Sequence, residues 1–192
     1  MKSKQDAEQV IYKQECLTEL IELERQGHID IFYGDESGFC LTPVMAYSWQ
    51  YPGEEVRIFP QKAKRINVFG MLNKDNRLAT FQKEGSITTD FVINSIEKWL
   101  ETVSKPTVLV LDNAPIHQAK AFLARLAQWQ EKNLFIFFLP AYCPHLNKIE
   151  TFWRKIKYEW LRPKAYTSLS TLKEALAQIF TQFGQQYTIH FS

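Results

Sequence analysis

With 192 residues, of which 45% are hydrophobic and 14% aromatic, the chain suits one domain with a sizeable core and is neither disordered nor low in complexity. The formal net charge of +2 neither demands nor excludes a nucleic-acid partner, because a basic cluster on one face is enough to meet phosphate. Cys16, Cys40 and Cys143 are odd in number, far apart and in no CxxC pair, which disfavours a disulfide framework or a cysteine zinc site and fits a reducing cytosol.

The first residues, Met1-Lys-Ser-Lys-Gln-Asp6, are polar with no apolar stretch behind them, so no signal peptide is expected. No run reaches the roughly 18 uncharged apolar residues of a membrane span, and the expectation is a soluble, cytoplasmic protein. Residues 5–26 read as a helix, with Val10, Leu17, Leu20, Ile21 and Leu23 on an irregular apolar side and Gly27 as its stop. Residues 29–35 read as a strand whose period of two puts Ile29, Ile31, Tyr33 and Asp35 on one face. A carboxylate at the end of such a row is costly unless paired, protonated or bound to metal. Glu36-Ser-Gly38 is expected to turn, with a second strand over 39–42.

Residues 43–64 look irregular. Trp49, Tyr51 and Pro60 interleave there with Arg57, Lys62 and Lys64, a pattern open to a nucleic-acid surface but favouring, on composition alone, a tethered loop whose aromatics cover the core. Residues 65–72 and 77–82 predict a hairpin across Asn73-Lys-Asp-Asn76. Thr88 or Thr89 caps a helix burying Val92, Ile96, Trp99 and Val103. Residues 107–112 form a continuous apolar run ending in Asp112, the mark of a central strand, and sites in open α/β sheets lie beyond the carboxyl ends of such strands. Residues 113–117 lead into a helix through about residue 131, with Phe122, Leu126 and Trp129 inward; residues 134–139 read as another central strand. Ile149, Phe152, Trp153, Ile156 and Trp160 then make a buried helical stripe, with Glu150, Arg154 and Lys157 beside it and Pro163 as its end. A last helix at 171–183 packs Leu172, Leu176, Ile179 and Phe180. The order implies a mixed five-stranded sheet with helices on both faces.

Each carboxylate has an ordinary reading. Asp35 suits a turn before Ser37-Gly38, Asp112 suits a loop after a strand, and Glu150 sits at N3 of a capping box begun by Asn147. Together they suit something else. Hard oxygen donors without histidine or cysteine partners favour Mg²⁺ or Mn²⁺ over zinc. Three carboxylates suffice for two ions about 3.5–4 Å apart, the arrangement for in-line attack on a phosphodiester, with Arg154 and Lys157 nearest in register to offset substrate charge.

Tyr33-Gly-Asp-Glu-Ser-Gly-Phe39, Val110-Leu-Asp-Asn-Ala-Pro-Ile-His117 and Leu139-Pro-Ala-Tyr-Cys-Pro-His-Leu-Asn-Lys-Ile-Glu-Thr-Phe-Trp153 resemble, in order, the three signature blocks of DDE transposases. The bacterial insertion-sequence branch of the mariner-like superfamily is the nearest in pattern. The resemblance implies a ribonuclease H-like fold over residues 29–192, with residues 1–28 an appended helix or linker remnant. It implies a metal-binding catalytic triad of Asp35, Asp112 and Glu150 and two Mg²⁺ ions, with Mn²⁺ able to substitute. The implied chemistry is hydrolysis at transposon ends followed by attack of the freed 3′-OH on target DNA. Lys64, Arg65, His117, His145, Arg154 and Lys157 are the candidate DNA contacts. Lys148 stands where many relatives have proline and Cys143 where many have serine; lysine at that helix start breaks no rule.

Family members carry helix-turn-helix domains ahead of the catalytic domain, whereas Asp35 lies 34 residues after Met1. The expectation is a split-gene product, a truncated copy or an isolated catalytic domain. It would act on double-stranded DNA as a homodimer, with a separately encoded helix-turn-helix subunit, in the prokaryotic cytosol. The alternatives are a ribonuclease H-like nuclease without strand transfer and an idle DNA-binding remnant.

Overall fold

The computed structural model describes residues 2–42, 65–140 and 143–191. Helix α1 (Lys2–Arg25) is followed by strands β1 (Asp30–Cys40), β2 (Arg65–Asn73) and β3 (Leu78–Glu84), then by helix α2 (Thr89–Leu100) and strand β4 (Thr107–Leu111). Short helices α3 (Lys120–Leu123) and α4 (Leu126–Glu131) lead to strand β5 (Leu134–Phe138), and helices α5 (Ile149–Lys155) and α6 (Leu169–Gln182) finish the domain. The sheet order is β3-β2-β1-β4-β5. Strands β1, β2 and β3 pair antiparallel, and β4 and β5 run parallel to β1.

Alternation along the strands divides the interior into two cores. Ile31, Tyr33, Val108 and Val110 face α1, α5 and α6, whereas Phe32, Leu109 and Leu111 face α2, α3 and α4. The α5 stripe behaves as its spacing requires: Ile149, Phe152, Trp153 and Ile156 are buried. Each such side chain contributes roughly 1.5–3 kcal/mol by leaving water. Helix α1 is part of this body. Leu17 is buried in the first core, the Glu24 carboxylate accepts from the Ile31 amide at 3.0 Å, and the Lys13 amine lies over the Phe137 ring. Gly27 ends the helix at φ 82°. Among the described residues no helix is long and apolar enough to cross a membrane.

Four local expectations change. Glu36-Ser-Gly38 does not turn: β1 runs unbroken to Cys40 because β2 pairs with it from Phe32 to Cys40, and ladder hydrogen bonds outweigh local turn preference. The segment after β4 is not one helix from residue 118 to residue 131. It coils until Lys120 and tightens between α3 and α4, where the Arg125 amide donates to the Phe122 carbonyl three residues back. Strand β5 is an edge strand rather than a central one, with Phe135 40% exposed. The stripe of α5 continues past Lys155 in a wider turn, Ile156–Trp160, closed by the Leu161 amide donating to the Ile156 carbonyl; Pro163 starts the next turn instead of ending this one.

Candidate active site

The parallel register of β1 and β4 runs from Asp30 opposite Thr107 to Tyr33 opposite Val110. The same step carried two residues further brings Asp112, just past the end of β4, alongside Asp35. Asp35 continues the Ile31–Tyr33 row that faces the α5 core, whereas Asp112 bonds to His117, which reaches Glu36 on the opposite side of β1. On its other side Asp35 pairs with Gly70 of β2. A side chain on Gly70 would stand 2.7 Å from Trp153 and 3.2 Å from Ile149, so the bare glycine is the seat on which the first turns of α5 rest. Glu150 lies between those two residues in sequence. The approach to α5 is pinned as well, because the Asn147 amide donates to the Gly34 carbonyl at 3.1 Å.

That bond bears on the capping-box reading of Glu150. Asn147 is not a cap: its amide nitrogen goes to β1, its oxygen is buried without a partner among the described residues, and α5 starts at Lys148 with no side-chain cap. The capping box does not form.

Burial holds the Asp35 carboxyl well above the usual carboxylate range. The charges of Glu36, Glu150 and Asp112 add to this, against a hydrogen bond from the Glu36 amide. The last two of these neighbours belong to the other two sequence blocks. Asp112 is held low, first by a hydrogen bond from His117 and then by the Ala114 amide, against partial burial. His117 is fully enclosed. Its Nδ1 lies 2.9 Å from Asp112 Oδ1 and its Nε2 3.0 Å from Glu36 Oε1. Burial alone would lower its pKa, yet the two carboxylates raise it to about 9. Glu36 faces the opposite side of β1 from Asp35, and reaches His117 there.

Sequence reasoning missed this pairing of His117 with Glu36. The available signal was the strand period, which sets Glu36 on the face opposite Asp35.

Among the described residues no three acidic, histidine or cysteine side chains stand close enough to hold one metal ion as they are. Asp112 has one oxygen engaged by His117. The donor types nevertheless suit a hard divalent cation: Asp35, Asp112 and Glu150 offer only carboxylate oxygens, and burial together with the charges of Glu36, Glu150 and Asp112 disfavours the Asp35 anion.

The proposed DNA contacts fall into four groups. Arg65 is exposed, with its guanidinium in the space over Gly38, and Lys157 sets its amine 5.5 Å from the Phe39 ring, so both lie along β1 beyond Asp35. Arg154 and His145 are exposed, and Arg154 makes no ion pair among the described residues. His117 has no exposed side-chain surface and both ring nitrogens are engaged, so it presents nothing to DNA here; its burial corrects that expectation. Lys64, with the aromatic and basic stretch 43–64, lies outside the described residues.

A family model described as DDE superfamily endonuclease matches residues 30–173. The chain belongs to this family. In structure it is similar to the catalytic domain of Mos1 mariner transposase, with a TM-score of 0.55 at 16% identity over 90% of this chain and 80% of that one. It is also similar to the mariner Mos1 paired end complex with Mg, with a TM-score of 0.62 at 18% identity over 88% of this chain and 53% of that one. For the Mos1 strand transfer complex the TM-score is 0.56 at 18% identity, over 90% of this chain and 54% of that one. The chain thus spans about half the length of the transposase in those complexes. No curated protein sequence matches it. The five-stranded mixed sheet with helices on both faces is a ribonuclease H-like fold, shared with the Mos1 catalytic domain.

Proposed function

We propose that the chain is the catalytic domain of an Mg²⁺-dependent DNA transposase that cleaves transposon ends and joins the freed 3′-OH to target DNA. The observation that supports this reading is that Asp35, in the first sequence block, feels the charges of Glu150 and Asp112, which belong to the other two blocks. Family membership and the likeness to Mos1 support the same reading. Residues 29–192 form the catalytic domain and residues 1–28 the appended helix. The working form is a homodimer on double-stranded DNA in the prokaryotic cytosol, with a separately encoded helix-turn-helix subunit to read the ends, and Mn²⁺ substitutes for Mg²⁺.

Asp35, Asp112 and Glu150 hold the ions, two per site. When bound, they supply Lewis acidity toward the phosphate and make the attacking hydroxyl a better nucleophile. The rest falls to the chain. Burial and the neighbouring carboxylates disfavour the Asp35 anion, and a bound cation would favour it. In the first step a water oxygen bonds to phosphorus while the bond to the leaving 3′-oxygen breaks, yielding a 3′-OH and a 5′-phosphate. In the second, that 3′-OH attacks a target phosphodiester and releases a target 3′-OH. Arg65, Arg154 and Lys157 offset the charge of the strands, and His145 is a further DNA contact. The wall of α5 keeps Glu150 on a rigid element, which the in-line geometry needs.

The test pairs labelled duplexes carrying the inverted repeats that flank the coding region with a plasmid target, in Mg²⁺ and in EDTA. Metal-dependent cleavage with joined product is expected. Asp112→Asn should abolish metal-dependent cleavage with circular dichroism unchanged. Cleavage without joined product leaves a nuclease, a folded protein that binds DNA without cutting it leaves an idle remnant, and an active Asp112→Asn variant refutes the triad.

A further inference from the structure

The register that brings Asp35 and Asp112 together ends short of both. The last paired residues are Tyr33 and Val110, and Asp112 lies in the turn beyond β4, with its side chain 49% exposed. A carboxylate on a turn has freedom that a metal ligand does not have. The structure places one buried side chain across this gap.

We propose that His117 is a positioning residue: it fixes the orientation of the Asp112 carboxylate and, through Glu36, ties the Asp112 turn to the strand carrying Asp35. This rests on the triad assignment proposed above and goes beyond it.

Asp112 Oδ1 receives two donors, His117 Nδ1 at 2.9 Å and the Ala114 amide at 3.0 Å. Among the described residues Oδ2 has no partner. One oxygen is therefore committed to the protein and the other is left for a ligand, as for metal-binding carboxylates held from behind by hydrogen bonds. At the other ring edge Nε2 meets Glu36 Oε1 at 3.0 Å. Glu36 is next to Asp35 in β1, so the ring is a strut between the segments that carry two of the three acids. The strut has a firm back. His117 packs against Phe122, which packs edge-on against buried Trp129. The turn that carries His117 is held by its amide bond to the Ala114 carbonyl and by Thr89 Oγ1 donating to the Ile116 carbonyl. Both ring bonds go to acceptors, so no lone pair remains for an ion, and His117 is not itself a ligand.

Two isosteres separate orientation from bulk and charge. In His117→Asn the amide nitrogen takes the place of Nδ1 and keeps the donor to Asp112; in His117→Gln it takes the place of Nε2 and keeps only the link to Glu36. Both remove the ring and any charge on it, so their difference reports the donor to Asp112. Mn²⁺ is titrated into each folded protein and free Mn²⁺ is read by electron paramagnetic resonance. The expected dissociation constant of His117→Gln is about 10–100-fold above that of His117→Asn, the range seen for outer-shell partners of metal ligands. Equal constants for the two variants overturn the positioning role, whether both match wild type or both are weakened alike. Wild-type protein that binds no Mn²⁺ removes the triad reading and this inference with it, whereas wild-type binding with indistinguishable variants sinks the inference alone.

Discussion

Gly70→Ala is the sharpest test of how α5 positions its glutamate. The added methyl would lie 2.7 and 2.8 Å from two atoms of the Trp153 ring and 3.2 Å from Ile149, so its nearest approach falls about 0.7 Å short of ordinary contact at 3.4 Å. Trp153 is 2% exposed and Ile149 is fully buried, so neither side chain has room to swing away and the shift passes to the helix. Overpacking of this kind costs about 1–3 kcal/mol. For a domain of this size that lowers the melting temperature by about 2–4 °C per kcal/mol. Because Glu150 rides on the displaced turn and Gly70 faces Asp35 across the ladder, cleavage should fall further than stability suggests. A displacement near 1 Å costs roughly 10²-fold. Gly27→Ala is the control. At φ 82° with nothing within 4 Å, it loses about 1–2 kcal/mol to left-handed strain and should cleave normally while folded. Adding Trp153→Phe to Gly70→Ala should return part of the lost rate. Differential scanning fluorimetry and the duplex cleavage assay measure both arms. A Gly70→Ala protein with wild-type melting temperature and rate refutes the seat; equal rate losses at Gly70 and Gly27 would reduce it to general destabilisation.

Other consequences follow from the charges. The pKa of His117 is raised to about 9 in the folded chain against about 6.5 unfolded. Its contribution is therefore fully present below about pH 6.5 and is lost as pH rises through about 9, amounting to at most about 3 kcal/mol; denaturant midpoints of wild type against His117→Gln across pH 6–10 test this, and parallel curves would contradict it. The Asp35 pKa is raised instead of lowered, so its anion opposes folding increasingly as pH climbs above the ordinary carboxylate range. Metal-free Asp35→Asn should melt above wild type at pH 7 and gain nothing from Mg²⁺, and a lower melting temperature would mean that Asp35 is already paired. Asn76 sits at φ 58° and exchanges two hydrogen bonds with the backbone of Ile189. Asn76→Ala should cost about 1–3 kcal/mol and speed hydrogen exchange over residues 183–191 with cleavage intact. Unchanged exchange there would show that the tail is held by packing alone.

How much of this was readable in the chain depends on the distance over which each interaction acts. Asp35 and Asp112 stood out because each breaks an apolar row of known period, and a row that ends in charge is visible locally. Glu150 was ambiguous for a physical reason: a helix start and a metal site both accept an acid in the first turn, and the use of Asn147 on Gly34 removes only the capping box. Glu36-Ser-Gly38 has turn chemistry and still forms strand, because β2 supplies ladder partners along its whole length. The apolar run of β5 says that it is covered but not how many strands flank it, so its place at the sheet edge was out of reach.

His117 was least legible of all. Its partner Glu36 is 81 residues away, and a histidine after a strand looks the same whether it faces solvent or bridges two acids from inside the fold. The strand period supplies the missing constraint. If Asp35 faces α5, Glu36 must face the opposite core, and a carboxylate there requires a donor from an element on that side. The turn after β4 is the nearest element with one to give. Read this way, an adjacent pair of acids in one strand predicts two separate partners on opposite faces, a ligand for one and a protein donor for the other.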